Sequence, residues 1–323
     1  MYTRLVIIVF LSCIHFQGFS QKLNSKKVKE LKNKTLLVGL EEIDEKRSKG
    51  LKAKDLEMYK NQIEGNNNAL KRAIEKYWKF SSDIQYIPFD EAKELVKKQP
   101  EKYFLIRYNK YTDYWRSRSG AGWNKINGVL EYDWGVRYKE IANEIMTLNL
   151  DIPSTALMVN LPNLYVSNSD AVYGVMQMQY ILTRLNESED DKLDFRDIVK
   201  ECNSKILKGK TLLLDKNDVD SDLNWSEIKA IYKYNFKIVT SAEIEKAIIN
   251  LDPNYAIVQI VSLQVGKGNV NAHIIHETQT GRILGYVVPT VAFGIQGTSL
   301  ITYNSKIKKK QLKEYLESAE CEK

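Results

Sequence analysis

The chain has 323 residues, 43% of them hydrophobic, and a formal net charge of +7. This length suits one large domain or two smaller ones, each with its own core. A charged fraction of 28% with 10% aromatic residues excludes an intrinsically disordered chain. Three cysteines are too few for a small fold held together by a disulfide framework.

The N-terminus has the pattern of a secretory signal peptide. Arg4 is the only charged residue in 1–20, and residues 5–11 form a continuous apolar run. Small residues two positions apart then precede a polar stretch, so we expect cleavage after Ser20 and export to the periplasm or outer envelope. Two alternatives stay open. One is an uncleaved anchor helix, for which the apolar run is short; the other is a lipoprotein anchored at Cys13.

Cleavage would leave two cysteines, Cys202 and Cys321, far apart in the sequence. This spacing does not specify a bridge, and we expect two free thiols, with one disulfide as the alternative. Beyond the N-terminus the sequence contains no apolar run long enough for a transmembrane helix. Lysines cluster at 22–34 and 306–313, which favours a solvated basic face or peripheral contact with anionic lipid headgroups. Outside the cytoplasm, nucleic acid is not an expected partner.

Three segments of the first half recur in the second half, in the same order. The pairs are 31–38 with 207–214, 87–94 with 239–246, and 100–106 with 253–258. The first pair is offset by 176 residues and the second by 152, so the first copy is longer between them. The surplus falls in residues 41–68, which we interpret as a charged surface insertion that can be helical. We therefore predict one repeat over 21–190 and a second over 205–323.

Each repeat predicts the same order of elements: strand, helix, strand, helix, strand, hairpin, helix. Short apolar runs after a lysine-rich lead-in predict the first strands, and stripes at helical spacing predict the helices. One stripe comprises Leu70, Ala73, Ile74 and Tyr77; the other comprises Trp225, Ile228, Ile231 and Tyr232. Asp90 and Ser241 are predicted to cap the second helices. The order predicts an α/β fold, with mixed sheets backed by helices.

The hairpin differs most between the repeats. In the second repeat two strands flank the turn 278–281, where a glycine can adopt a left-handed conformation. In the first repeat the counterpart is a long aromatic hairpin, residues 112–162. Aromatic residues with interspersed arginines are typical of binding surfaces, although aromatic residues also favour strands that face a core. The predicted binding residues are Trp115, Arg116, Arg118, Trp123 and Trp134.

The second repeat resembles the N-terminal module of TolB and the periplasmic domain of the curli secretion protein CsgG. The matching segments are 210–214, 236–239, 242–244 and 277–284, the last around a Thr-Gly turn. The resemblance covers most of 205–290 and, more loosely, 31–108. It implies a periplasmic assembly or interaction module, but no functional residues carry over.

The sequence predicts no catalytic, metal or nucleotide site. Asp218, Asp220 and Asp222 have calcium-loop spacing, but the glycine and the bidentate glutamate that such a loop needs are missing. His273 and His276 lie three apart on a predicted strand, so they face opposite sides and cannot share a metal. We expect no cofactor. The favoured function is non-catalytic binding to an envelope protein or self-association; the alternative is a secreted hydrolase acting on an envelope polymer, whose carboxylates need not be close in sequence.

Overall fold

The computed structural model describes residues 23–119, 122–126, 129–133, 136–152, 155–265, 268–288, 292–293, 299–300 and 305–322. Over 112–143 the description covers the backbone of the strands and not their side chains. The predicted signal peptide, residues 1–20, and the alternative lipid anchor Cys13 lie outside the described residues.

The first repeat forms a five-stranded mixed sheet with helices packed on it. In the sheet the strand order is β2-β1-β3-β6-β7, with β1 parallel to β2 and β3, and β3, β6 and β7 antiparallel. The elements are α1 (Ser25–Leu31), β1 (Thr35–Leu40), α2 (Glu45–Lys49), α3 (Ala53–Tyr77), β2 (Ile84–Pro88), α4 (Phe89–Lys98), β3 (Tyr103–Ser119), β4 (Gly122–Ile126), β5 (Val129–Asp133), β6 (Val136–Ile152), β7 (Thr155–Asn160) and α5 (Asn168–Glu187).

The second repeat builds a sheet of the same topology. Its strand order, β9-β8-β10-β11-β12, matches that of the first sheet strand for strand. The elements are α6 (Phe195–Val199) and α7 (Ser204–Lys208), β8 (Thr211–Asp215), α8 (Trp225–Ile231), β9 (Phe236–Val239), α9 (Ser241–Ile249), β10 (Tyr255–Val265), β11 (Gly268–Glu277), β12 (Ile283–Val287), β13 (Ala292–Phe293), β14 (Ser299–Leu300) and α10 (Lys309–Glu320). The predicted α/β fold with two similar modules is confirmed.

The matching lysines at the start of each module make the same contact. The Lys34 ammonium donates to the carbonyl oxygen of Pro100 at 2.9 Å, and the Lys210 ammonium donates to that of Pro253. The prolines therefore lie at equivalent points, just before β3 and β10. A tandem duplication predicts such a shared contact, because the sequence match aligns Lys34 with Lys210.

Several local predictions need correction. Helix α4 has Pro88 at its N-cap and no side-chain cap, so Asp90 lies inside its first turn. Helix α9 is capped by Thr240, whose hydroxyl accepts from the Glu243 amide, one residue before the predicted Ser241. Trp225 belongs to the apolar stripe that predicts α8, but its side chain is 57% exposed. It begins α8 and stacks on Phe236 at the rim, where a large ring can be half covered without entering the core.

Helix α5 lies between the two repeats and packs against α3 and α9, one from each. Among the described residues, three side chains of the first repeat donate across this boundary: Tyr77 to the Ile249 carbonyl at 2.5 Å, Asn160 to that of Ser262 at 2.6 Å, and Gln177 to that of Gly281 at 2.6 Å. Apolar residues of both sheets join α5 in one continuous core. The repeats are therefore packed together through a shared core.

The two described cysteines form a disulfide, so the prediction of free thiols is wrong. Cys202, just before α7, and Cys321, just after α10, have Cα atoms 5.8 Å apart. The bond ties the C-terminal helix to the segment that links the repeats. Their separation of 119 residues carried no signal for the pairing, because only the fold brings α10 back onto α7.

Candidate functional site

Strands β3 and β6 extend well beyond the sheet that holds them. β1 pairs with β3 only at 103–106, and β7 pairs with β6 only at 147–152. In the described part of the chain, residues 110–119 and 136–146 pair as strands only with each other. We call this two-stranded segment the ribbon. At 3.4 Å per residue it reaches roughly 30 Å from the sheet.

The base of the ribbon is held firmly by charged and aromatic contacts. The Arg107 guanidinium donates to the Asp151 carboxylate at 2.6 Å and lies over the Phe89 ring at 4.8 Å. One step further out, Lys110 and Glu144 form an ion pair at 2.7 Å across the two strands. These contacts bind the two strands to each other and to α4 where the ribbon begins.

Four of the five predicted binding residues fall on the ribbon and on the hairpin that follows it. Trp115, Arg116 and Arg118 belong to β3 and Trp123 to β4, which pairs with β5. Their side chains are outside the described part of the structure, and Trp134 lies outside the described residues. Whether they form one surface stays a prediction.

A second feature, which sequence reasoning missed, is a cleft of about 590 Å³ in the first repeat. It lies where β1 ends, beside the start of α4, and the carboxyl ends of strands are where α/β sheets commonly hold ligands. Most of its wall comes from the surplus segment 41–68. The lining residues are Glu41, Glu42, Ile43, Asp44, Tyr59, Gln62, Ile63, Asn66, Phe89, Asp90, Lys110 and Met146. The insertion therefore has a structural role beyond covering surface.

Glu41 is fixed at the inner wall of the cleft. Its backbone NH donates to the Asn67 side-chain oxygen at 2.9 Å, and its carbonyl accepts from the Asn67 amide at 2.9 Å. Burial raises the pKa of the Glu41 carboxyl, while a hydrogen bond from Asn66 and the charge of Lys110 oppose that rise. Although Glu41 begins a charged segment of the sequence, its carboxyl is therefore partly withdrawn from solvent. A partly desolvated carboxylate of this kind gains from a nearby cation.

The two histidines face opposite sides of the second sheet, as the strand spacing predicted. The His273 ring lies on the side of α10, with Nδ1 2.5 Å from the Tyr315 hydroxyl. The His276 ring packs against Tyr173 of α5, with ring centroids 5.0 Å apart. Burial lowers the pKa of His276 to about 4, so it is neutral near pH 7. Both are structural core residues in this arrangement.

The Asp218–Asp222 loop contacts lysines of its own chain. Lys308 lies 3.5 Å from the Asp220 carboxylate, and Lys306 donates to the carbonyl of Asn217. Burial, and next the charge of Asp215, raise the pKa of Asp218 to about 6. Within the described residues, no three acidic, histidine or cysteine side chains form a metal-binding group.

No family model, curated protein or solved structure matches the chain. In the described part of the chain, no helix has both the length and the hydrophobicity to cross a membrane.

Proposed function

We propose that this protein is an exported, non-catalytic binding or assembly protein, which contacts an envelope protein or a second copy of itself through the ribbon. The observation that carries the proposal is the pairing pattern of β3 and β6. An isolated two-stranded ribbon is marginally stable in water, because it lacks a third strand or a packed face. A ribbon of this length is therefore suited to being completed by another chain.

The edges of the ribbon offer a defined mode of contact. The pairing of β1 with β3 ends at residue 106 and that of β7 with β6 at residue 147, so beyond Lys110 and Met146 the ribbon has no third strand in the described part of the chain. Such edges readily pair with a strand of another chain. The aromatic and arginine residues in 111–138 supply the side-chain types that dominate binding energy at protein interfaces. Edge pairing would give affinity, and these side chains would give specificity.

Two further observations support export. The Cys202–Cys321 disulfide belongs to the kind of bond that persists in oxidising compartments such as the periplasm. The N-terminal sequence pattern points to the same compartment, and the resemblance to the TolB and CsgG modules favours an envelope role.

The proposal is tested by co-purification from the envelope fraction. A C-terminally tagged full chain is compared with a Trp115→Ala, Trp123→Ala double variant, with Trp225→Ala in the second repeat as the exposed-tryptophan control. We expect the full chain and the control to retain the same envelope partner or self-association, and the double variant to lose it. Equal retention by all three would refute the ribbon as the contact surface.

The hydrolase alternative rests on the cleft, which holds a carboxyl group of raised pKa beside other carboxylates. Incubation of the purified chain with envelope glycans and peptides tests it. Hydrolysis that Glu41→Gln abolishes in a folded protein would replace the binding proposal with an enzymatic one.

A further inference from the structure

The loop after β1 and the loop after β8 occupy equivalent positions in the two repeats. The offset of 176 residues that aligns β1 with β8 also aligns Asp44 with Asp220. Asp44 Oδ1 accepts a hydrogen bond from the backbone NH of Lys46 at 2.8 Å. Asp220 Oδ1 accepts from the NH of Asp222 at 3.1 Å. Both aspartates therefore accept a hydrogen bond from the backbone NH two residues further along the chain.

In the second repeat this loop holds an extended, lysine-bearing segment of the chain itself. Ile307 forms a parallel bridge with Val219. Its NH donates to the Asp218 carbonyl at 2.8 Å, and its carbonyl accepts from the Asp220 NH at 3.1 Å. The Ile307 side chain is fully buried. An apolar residue thus anchors the segment through backbone hydrogen bonds on both sides.

The lysines on either side of Ile307 meet oxygen acceptors of the same loop. Lys306 donates to the Asn217 carbonyl, and its charge lowers the pKa of Asp218 against the larger effect of burial. Lys308 forms the 3.5 Å ion pair with Asp220. The segment is therefore held by the pattern lysine, apolar residue, lysine.

In the first repeat a side chain takes the place of the segment at one of these hydrogen bonds: the Asp44 NH, counterpart of the Asp220 NH, donates to the Tyr59 hydroxyl of α3 at 3.2 Å. Ile43, the counterpart of Val219, is 43% exposed and lines the cleft. Among the described residues it takes part in no strand pairing or isolated bridge. The longer α3 of this repeat forms the opposite wall, where Gln62 and Asn66 add amide groups. The cleft therefore has room beside Ile43 for an extended segment.

The charge of the cleft is complementary to such a segment. Glu41, Glu42, Asp44 and Asp90 line it, and Lys110, the one cation among the described residues that line it, is already paired with Glu144. This cleft is acidic although the whole chain carries a net charge of +7. Lysine ammonium groups entering it would meet several carboxylates, one of them partly desolvated.

We propose that the cleft of the first repeat binds an extended peptide segment from another chain, with an apolar residue between two lysines. The apolar residue would pair beside Ile43, as Ile307 pairs beside Val219, with its carbonyl replacing the Tyr59 hydroxyl at the Asp44 NH. The lysines would meet the carboxylates of the loop and of α4. This site is separate from the ribbon and does not require the ribbon to be the assembly surface.

The test uses the full chain and a labelled synthetic peptide that copies residues 305–310, Ser-Lys-Ile-Lys-Lys-Lys. Binding is followed by fluorescence anisotropy at low ionic strength. We expect saturable binding that Glu42→Lys weakens about tenfold, since the substitution replaces an attraction with a repulsion. Glu42 is exposed, so this variant should fold. A peptide with the isoleucine replaced by serine should bind at least several-fold more weakly.

Two matched controls exclude other sources of the signal. Glu245→Lys changes an exposed glutamate on α9, far along the chain from the cleft, and should leave binding unchanged. Asp220→Asn alters the equivalent loop of the second repeat and should also leave it unchanged. Equal weakening by Glu42→Lys and Glu245→Lys, equal binding of the serine peptide, or loss of binding in Asp220→Asn alone would each overturn the proposal.

Discussion

Substitution of Gly281 by alanine tests how tightly the second repeat packs against α5. Gly281 has a φ of +70°, in the left-handed region that costs an L-residue with a side chain about 1 kcal/mol or more. A Cβ added there would lie 2.6 Å from both the carbonyl carbon and the carbonyl oxygen of Met176. These are backbone atoms of a buried helix, so they cannot move aside as a side chain could. Overpacking of this kind costs about 1–3 kcal/mol.

We therefore expect Gly281→Ala to lower the free energy of unfolding by about 3 kcal/mol. Equilibrium urea denaturation, followed by far-UV circular dichroism, measures the loss. The matched control is Gly209→Ala: this glycine ends α7 with a φ of −80°, and the nearest atom to an added Cβ is 3.5 Å away. It should change stability by less than about 0.5 kcal/mol. Similar small losses in both variants would refute close packing of the Thr-Gly hairpin on α5.

Three further outcomes follow from buried groups. Because burial lowers the pKa of His276 to about 4, the unfolded chain binds a proton at this residue more readily than the folded chain does. The free energy of unfolding should therefore fall by about 3 kcal/mol between pH 7 and pH 4 through this group. Urea titrations of His276→Leu should lack that part of the loss. Removing the Cys202–Cys321 bond with a double serine variant should lower the free energy of unfolding by about 3–5 kcal/mol, because the bond closes a long loop. A loss below about 1 kcal/mol in thermal unfolding would contradict its stabilising role. Lys210→Met should lower the free energy of unfolding by about 2 kcal/mol or more, since it leaves the largely buried Glu277 carboxylate without its ion-pair partner at 2.6 Å. Lys34→Met removes only a hydrogen bond to the Pro100 carbonyl and should lower it by about 1 kcal/mol in the same assay.

The sequence was sufficient for the architecture because the duplication supplies an internal comparison. Residues 31–38 and 207–214 match, and both become the lead-in and central strand of a sheet with the same order. Alternation and helical spacing then locate the elements, and Leu70, Ala73 and Ile74 are buried as their stripe predicts. Helix ends were harder to predict, because Asp90 and Ser241 lie close to the observed N-caps Pro88 and Thr240 and are plausible caps themselves.

The candidate sites were harder to predict because they depend on contacts distant in the sequence. The cleft forms only when 41–68 folds back over the end of β1, and a charged segment gives no sign of that in composition. The extended ribbon follows from strand pairing, which shows that β1 and β7 cover only the base of β3 and β6. A long hairpin at 112–162 was predicted, but the open edges depend on where its neighbours end.

The central claim is that the ribbon contacts a partner in the cell, and site-specific photo-crosslinking tests it most directly. A photoreactive residue replaces Tyr111, whose side chain is 39% exposed at the base of the ribbon, or Trp225, which is 57% exposed in the second repeat. A companion chain replaces residues 112–144 with Asn-Gly, a turn that can join the paired residues Tyr111 and Ile145.

After irradiation of living cells, mass spectrometry identifies what each position has captured. The account predicts repeated capture of one envelope protein, or of a second copy of this chain, from position 111 in the full chain. It predicts no such capture from position 225 or from the chain with the shortened ribbon. Capture that is independent of the ribbon, or none from position 111 in a folded and exported protein, would contradict the claim.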